Sequence, residues 1–339
     1  MRTIVFLIAI ILTLQPAARA EEPFFKANDV IALVGGEDMV VAAELGYLET
    51  LIQLALPDHR LKFRSLAREG DTVFEQRRDL NYPKLEAQLD KMGATVVICQ
   101  FGQMESLAAA AALDGMDRMD AMDKVDATKG ASTVQEVHKV QAVHEKADAA
   151  RKAKVAEFVA AYEKLIGRLK GKDGARRVVL IRDLKATDGS DSSTEAAKAS
   201  NVFPDALQSL KQVAGVTLLD NHTLAGTNRW RSGDGNLQED PQLALATAAR
   251  FLATNTKLNW VNLTVEKDLL TLIAAKNRLW FHYYRPQNWA FLAGDRTNQP
   301  SSRDHLDPSK RWFPEELEKF VPLIDAKDAE IWALAAKLK

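Results

Sequence analysis

The sequence is poor in the features that mark several large protein classes. Its single cysteine, Cys99, excludes an intramolecular disulfide, and its place in an apolar run predicts that it is buried. The 45 basic and 46 acidic side chains leave no basic excess to neutralise phosphates, which argues against a nucleic-acid or anionic-membrane binder. There is no Gly-x-Gly-x-x-Gly after the first strand, no phosphate-binding Lys-Ser/Thr loop and no Cys/His pair at zinc spacing. We therefore predict no cofactor and no metal ion.

The first 20 residues have the pattern of a secretory signal peptide. Arg2 gives a basic start, an apolar stretch follows from Ile4 to Leu12, and Ala18-Arg19-Ala20 is a small-residue cleavage site. The apolar stretch is about half of the ~20 residues that span a bilayer, and no later segment comes close. We expect cleavage after Ala20, a mature chain without a membrane span, and a periplasmic or extracellular location.

Short apolar runs alternate with segments of helical periodicity, which is typical of parallel strands joined by crossover helices. The predicted strands are Val30–Val34, Leu61–Leu66, Thr95–Phe101, Arg177–Ile181 and Val216–Leu219. The predicted helices are Met39–Ala55, Tyr82–Met92, Val155–Lys170 and Pro204–Val213. We therefore expect residues 21–339 to form one α/β domain, a three-layer α/β/α sandwich with a five-stranded, parallel, flavodoxin-like sheet. Such sheets bind ligands at the carboxyl ends of their strands.

Two segments depart from this alternation. Residues 116–150 are rich in Met, Asp, Lys and Ala, and their alternating charges predict a solvated helix or a mobile excursion that is open to a protein partner. His138 and His144 in this segment do not share a helical face, so we interpret them as solvated residues and not as metal ligands. An extension from about residue 260 contains most of the six tryptophans, which could pack a core or form a sugar-binding face.

Loops after the predicted strands carry the motifs that point to a family. They are Gly35-Gly36-Glu37-Asp38-Met39, then Arg64–Val73 ending in Gly70-Asp71-Thr72-Val73, and then Gln100–Ser106 with Gly102 and Glu105. Two further blocks are Leu45-Gly46-Tyr47-Leu48-Glu49-Thr50-Leu51 and Ala275–Asn288, which contains Lys276-Asn277 and Phe281-His282-Tyr283-Tyr284-Arg285-Pro286-Gln287-Asn288. In this order and spacing the blocks resemble those of the SGNH/GDSL hydrolases, and the last one resembles a bacterial GDSL-like subfamily.

The resemblance implies the fold of a carboxyl-ester hydrolase that acts on carbohydrate esters. Such an enzyme needs a serine activated by a histidine, with a glycine N–H and an asparagine amide binding the oxyanion. In this sequence Glu37, or Asp38 in a register shifted by one, stands at the serine position. Ala67 stands at the glycine position and Met104 at the asparagine position. Leu237, or Asn236 in a shifted register, stands at the histidine position. The resemblance therefore implies a divergent member that lacks its catalytic residues.

Other residues could still serve this cleft. His222 and His282 are candidate replacement bases, and Asp234 has the spacing of the acid that orients the family's histidine. The acids of the strand-end loops could also meet and attract calcium. Arg285 could point across the edge of the cleft or pair with an acid that holds the extension. The predicted binding residues are Gly35, Gly36, Gly70, Asp71, Gly102, Glu105, Arg285 and Asn288.

These observations lead to one functional hypothesis and two alternatives. We expect an exported pseudoenzyme that binds a carbohydrate or an acylated ligand in the former esterase cleft. The first alternative is an active carboxyl-ester hydrolase with a site rebuilt from an acid and either His222 or His282. The second is a non-catalytic structural or interaction protein that works through residues 116–150.

Overall fold

A computed structural model describes residues 24–102, 104–105, 133–182, 203, 205–220, 252 and 266–338. The predicted signal peptide lies outside these residues. The strands are β1 (Val30–Gly35), β2 (Lys62–Ser65), β3 (Val96–Gln100), β4 (Arg177–Arg182) and β5 (Val216–Asp220). They form a sheet of order β2-β1-β3-β4-β5 in which every neighbouring pair is parallel. The predicted five-stranded parallel sheet is therefore confirmed, and each predicted strand lies within two residues of its observed bounds.

Helices cover both faces of the sheet. They are α1 (Glu37–Leu45), α2 (Tyr47–Ala55), α3 (Leu85–Lys91) and α4 (Thr133–Lys170). Successive side chains of a strand point to opposite faces. In β1, Ile31 and Leu33 belong to the core cluster that contains α1 and α2, whereas Ala32 and Val34 belong to the cluster with α3 and α4. The predicted three-layer α/β/α sandwich is thus confirmed.

The C-terminal extension is helical and covers the edge strand β2. Its helices are α5 (Lys267–Tyr284), α6 (Trp289–Leu292), α7 (Trp312–Glu318) and α8 (Phe320–Lys337). A small apolar cluster joins α5 and α8 to α2 through Leu54, Leu269, Ile273, Ile331 and Ala335. An exposed edge strand is a template for unwanted pairing, so this cover protects the sheet.

The described tryptophans belong to this packing. Each indole Nε1 donates a hydrogen bond to a backbone carbonyl: Trp280 to Ser65, Trp289 to Leu80, Trp312 to Arg303 and Trp332 to Leu61. The bonds of Trp280, Trp289 and Trp332 tie the extension to β2 and its neighbouring loops, whereas that of Trp312, which is 37% exposed, lies within the extension. The geometry therefore favours the packing interpretation for Trp280, Trp289 and Trp332.

Several predicted helices have different bounds in the structure. The single helix predicted over Met39–Ala55 is divided into α1 and α2 at Gly46, whose φ of 69° is left-handed. The segment predicted as Pro204–Val213 contains a 3-10 helix at Leu207–Gln212. The helix α4 begins at Thr133, so it includes the last part of the 116–150 segment. None of the described helices is long and apolar enough to cross a membrane.

Candidate functional site

A small pocket lies where β1 and β3 end, and we call it the strand-end pocket. It is lined by Gly36, Glu37, Asp38, Asp71, Gln100, Phe101 and Met104. Its volume is about 10 Å³, which is near the lower limit for one water molecule. The topology therefore brings both candidates for the serine position, together with Met104, to the predicted edge of the sheet.

Asp38 is the more enclosed of the two candidates for the serine position. Its side chain is buried and accepts a hydrogen bond from Gln100 Nε2 at 3.2 Å. Both Glu37 and Asp38 lie in the first turn of α1, where the helix dipole favours negative charge. The close packing here also requires Gly35, because a Cβ at this position would clash with the backbone oxygen of Gln100. A buried carboxylate therefore lies just after β1, where the resemblance implied a serine.

Asp71 forms a two-pronged ion pair at the other side of the pocket. Arg78 Nη1 and Nη2 donate to Asp71 Oδ1 and Oδ2, each at 2.8 Å. Burial raises the pKa of Asp71 above its ordinary value, and the hydrogen bonds with Arg78 oppose that shift. Asp71 is therefore a buried, paired acid, and sequence reasoning missed its partner Arg78.

Glu105 connects two of the loops that carry the family motifs. Its Oε1 accepts the backbone N–H of Val73 at 2.6 Å, and its Oε2 accepts that of Gly102 at 3.0 Å. Burial raises the pKa of Glu105, whereas the backbone hydrogen bonds lower it. Gly102 has a φ of 125°, a conformation that favours glycine. The two hydrogen bonds of Glu105 and the backbone of Gly102 therefore fix the loop after β3. Glu105 is not among the residues that line the strand-end pocket.

The acids of the strand-end loops do not form a cation site. Asp38 bonds to Gln100, Asp71 to Arg78, and Glu105 to backbone N–H groups. Among the described residues, no group of His, Cys, Asp or Glu side chains is arranged to hold a metal ion. The calcium hypothesis therefore finds no support in this part of the chain.

Ala67 does not line the strand-end pocket, although its sequence position suggested an oxyanion donor. Its backbone N–H points to Ser65 Oγ at 3.4 Å, and the next N–H, of Arg68, bonds to the carbonyl of Gly35 at 3.2 Å. Met104 does line the pocket, with 36% of its surface exposed. Since a thioether cannot donate a hydrogen bond, neither position presents an oxyanion donor to the pocket.

A polar depression, which we call the loop groove, adjoins the strand-end pocket through Asp71. It has a volume of about 490 Å³ and is lined by Arg68, Glu69, Gly70, Asp71, Thr72, Glu75, Arg77 and Arg285. Gly70 has a φ of 75° and turns the chain at the floor of the groove. Arg285 Nη2 lies 2.7 Å from Glu69 Oε2, and its guanidinium lies 5.0 Å from the centre of the Phe281 ring. Arg285 thus pairs with an acid and also borders the groove.

Among the described residues, neither the histidines nor Asn288 line the strand-end pocket. His282 lies on α5 and lines a different space, which we call the α1–α5 cavity, and its ring contacts Phe281 and Phe320. Asn288 begins α6, and its carbonyl accepts the N–H groups of Phe291 and Leu292. His222, Asp234 and Leu237 lie outside the described residues. Across the described ranges, no histidine lines the strand-end pocket.

Cys99 carries a thiol, which is a nucleophile by residue type. Its side chain is fully buried, 3.8 Å from the hydroxyl of Tyr162, and burial raises its pKa to about 12. A thiol is nucleophilic as the thiolate, so Cys99 is an inert part of the core. The prediction that it is buried is confirmed.

No family model and no curated protein match the chain, whereas several solved structures do. A lipase from a goat rumen metagenome is 17% identical over 68% of this chain and 99% of its own, with a TM-score of 0.42. An acetylxylan esterase from Geobacillus stearothermophilus is 11% identical over 69% of this chain and 97% of its own, with a TM-score of 0.41. A gut microbial diltiazem-metabolizing enzyme is 13% identical with a TM-score of 0.42, and the match covers 66% of this chain but only 46% of that protein.

The strand order and the positions of the motif loops agree with what the sequence implied. The sheet has the parallel order β2-β1-β3-β4-β5, and the first three motif blocks follow β1, β2 and β3.

Proposed function

We propose that this chain is an exported, SGNH-like protein that binds a carbohydrate or an acylated ligand at the carboxyl ends of its strands without hydrolysing it. The observation that supports the proposal is the lining of the strand-end pocket, which contains Asp38 and Met104 and, among the described residues, no serine, asparagine or histidine. A carboxylate that attacked an ester would form an anhydride, which is a poor route for acyl transfer. The pocket also holds no more than about one water, which leaves no room for an acyl group.

The loop groove supports the binding part of the proposal. Its volume of about 490 Å³ lies within the ~300–1,000 Å³ that is usual for ligand sites. Its rim presents guanidinium donors, carboxylate acceptors and the Thr72 hydroxyl, and sugar hydroxyls can pair with each of these groups. Arg77 and Glu75 are well exposed at this rim, where Arg77 Nε lies 2.8 Å from Glu75 Oε1. An exposed ion pair contributes little stability, so a ligand can compete for either side chain.

The absence of hydrolysis is tested directly with the purified mature chain. We expect no appreciable turnover of short-chain nitrophenyl esters and no labelling by a fluorophosphonate, because removal of a catalytic set as a unit leaves little residual activity. Labelling that maps to one serine, together with turnover, would overturn the proposal and favour the rebuilt esterase site.

Ligand binding is tested by calorimetry with an acetylated xylo-oligosaccharide as the probe. We expect binding that Arg77→Ala weakens, because this side chain lines the loop groove. The matched control is Lys327→Ala, which removes a partly exposed cation on α8 that is paired with Glu330 and lies outside this groove. Equal binding by both variants and the parent would show that the groove is not the site. No binding at all would favour the alternative of an interaction protein.

A further inference from the structure

The α1–α5 cavity is a second space that the proposed function does not use. It lies between α1, the end of β2 and the C-terminal half of α5, and its volume is about 430 Å³. It shares no lining residue with the strand-end pocket, whereas Arg285 lines both the cavity and the loop groove. The size lies within the range of ~300–1,000 Å³ for small-molecule sites, so the cavity is large enough for a ligand.

The walls of this cavity are mainly hydrocarbon and aromatic. The apolar and aromatic lining residues are Val40, Ala43, Ala67, Ala274, Trp280, Phe281 and Tyr284. Three donors between them are already bonded to backbone carbonyls: Trp280 Nε1 to Ser65 at 2.6 Å, Tyr284 Oη to Leu66 at 3.1 Å and Asn277 Nδ2 to Ala43 at 2.8 Å. A polar group placed against these donors would lose its water without gaining their hydrogen bonds, which is unfavourable. The interior therefore selects for an apolar group.

Charged and titratable side chains lie around the same cavity but are more exposed. Glu44 and Arg278 are exposed, and His282 and Arg285 are half-buried. Arg285 is paired with Glu69, and this pair continues into the loop groove. A ligand seated here would keep a polar end among these groups, in contact with water. The combination of an apolar interior and a polar mouth fits an amphipathic molecule.

The cavity is held open by contacts between its two walls. Asn277 of α5 bonds to the carbonyl of Ala43 in α1, and Lys276 of α5 forms a buried ion pair with Glu49 of α2. At Gly46 an added Cβ would lie 3.0 Å from Cγ2 of Ile273, so the helices touch there. Because these contacts fix the spacing of the helices, the space is preformed and a ligand does not have to open it.

We infer that the α1–α5 cavity binds the aliphatic chain of an amphipathic ligand, such as a fatty acid or an acyl ester. The chain lies against Trp280 and Tyr284, and the polar end lies at the mouth near Arg278 and Arg285. This binding site extends the proposed function. It rests on that function only for the polar part of the ligand, which would face the loop groove.

The test measures binding of dodecanoate to the mature chain by calorimetry, below the micellar concentration. Ala274→Phe places a ring in the cavity, whereas Ala275→Phe places the same ring on the adjacent, exposed position of α5 that does not line it. We expect dodecanoate to bind the parent and Ala275→Phe equally, and Ala274→Phe to lose about tenfold or more in affinity, since ~1.4 kcal/mol is tenfold. Ala43→Leu fills the cavity from the opposite wall and provides the same readout if Ala274→Phe does not fold.

Two results would overturn the inference: no binding of dodecanoate to the parent, or equal binding by both cavity-filling variants and the parent. Ester turnover, measured on the same samples, separates this inference from the proposed function. Turnover combined with binding that depends on the cavity would overturn the proposed function alone. Equal dodecanoate affinity in the parent and the cavity-filling variants, without ester turnover, would overturn only the assignment of the α1–α5 cavity.

Discussion

Lys276 Nζ lies 2.6 Å and 2.7 Å from the two carboxylate oxygens of Glu49, and both side chains are buried. The two residues belong to different motif blocks, so the blocks that carry the family resemblance bind each other across the fold. Burial raises the pKa of Glu49 and lowers that of Lys276, and the ion pair opposes both shifts. A second buried pair, between Arg64 and Asp328, lies close enough to influence both pKa values. Together these pairs fix α5 and α8 against α2 and β2.

Removal of one partner from this pair is predicted to be costly. Lys276→Met leaves the Glu49 carboxylate buried without its cation, and we expect a loss of about 3–5 kcal/mol in the free energy of unfolding, measured with urea. Lys276→Met combined with Glu49→Leu should recover a large part of that loss. Lys327→Met is the control, because its pair with Glu330 is partly exposed and should contribute less than about 1 kcal/mol. A single variant as stable as the parent would contradict the buried ion pair.

The break between α1 and α2 gives a second prediction. Gly46→Ala should lower stability for two reasons, since its φ is 69° and the added Cβ would lie 3.0 Å from Ile273. Gly93→Ala is the matched control, because Gly93 has a φ of 68° and nothing within 4 Å of an added Cβ. The control should show only the conformational cost of about 1–2 kcal/mol. Thermal denaturation should place Gly46→Ala below the control, and the difference should shrink in an Ile273→Ala background, because that substitution removes the contacting Cγ2. Equal melting temperatures would contradict the tight contact.

The ion pair between Arg285 and Glu69 predicts a pH dependence of stability. The hydrogen bond from Arg285 lowers the pKa of Glu69 below its ordinary value near 4.5. A carboxylate with a lowered folded-state pKa stabilises the protein above its unfolded pKa, and this contribution disappears as the pH falls through the folded pKa. We therefore expect parent and Arg285→Ala to differ in unfolding free energy near neutral pH and to converge in acid. The difference should be about 0–1 kcal/mol because the pair is partly exposed.

Glu69→Gln is the control for that experiment, because it removes the titrating group while Arg285 remains. The unfolding free energy of Glu69→Gln should lack the pH-dependent contribution of the ionised Glu69 carboxylate, and that of Arg285→Ala should lack it too. If the difference between parent and Arg285→Ala were constant from neutral pH to well below the ordinary pKa of glutamate, Arg285 would stabilise the fold through its contact with Phe281 and not through its charge.

Most of the sheet was predictable because β1, β3, β4 and β5 contain short runs of apolar residues, such as residues 96–99, which are all buried. Strands covered on both faces have this pattern. The strand β2 (Lys-Phe-Arg-Ser) lacks such a run. Helix bounds were less predictable, since the apolar spacing of Met39–Ala55 continues across Gly46 although the backbone turns there. Local periodicity reports which face is buried, and it does not report whether the axis is straight.

The site was predictable in its location and not in its contacts. Asp38 and Met104 reach the strand-end pocket because their loops follow adjacent strands. The partners of Glu105 are backbone N–H groups of two loops, and no side-chain pattern signals such bonds. The position of His282 depends on the rotation of α5, which directs it to the α1–α5 cavity. The Lys276–Glu49 pair joins residues 227 positions apart, so local sequence gives no indication of it.

The last prediction concerns restoration of the family residues. Glu37→Ser, Ala67→Gly, Met104→Asn and Leu237→His, combined in one chain, should leave the fold intact. Glu37, Ala67 and Met104 follow β1, β2 and β3, and substitutions just beyond strand ends disturb the core little. Ester turnover should remain weak at most. The N–H of residue 67 points to Ser65 and does not line the strand-end pocket, so a glycine there does not supply the missing donor.

A parallel quadruple variant tests the register at the nucleophile position. It carries Asp38→Ser in place of Glu37→Ser, and it should be the more active of the two because Asp38 is the buried residue that faces Gln100 at the end of β3. Initial rates with a short-chain nitrophenyl ester are compared among both variants and the parent. Strong activity in either variant would mean that the oxyanion donors are already in place in the loops and that the restored residues suffice for hydrolysis. That result would contradict the contacts of Ala67 described above, whereas loss of folding would show that a motif block has been placed in the wrong register.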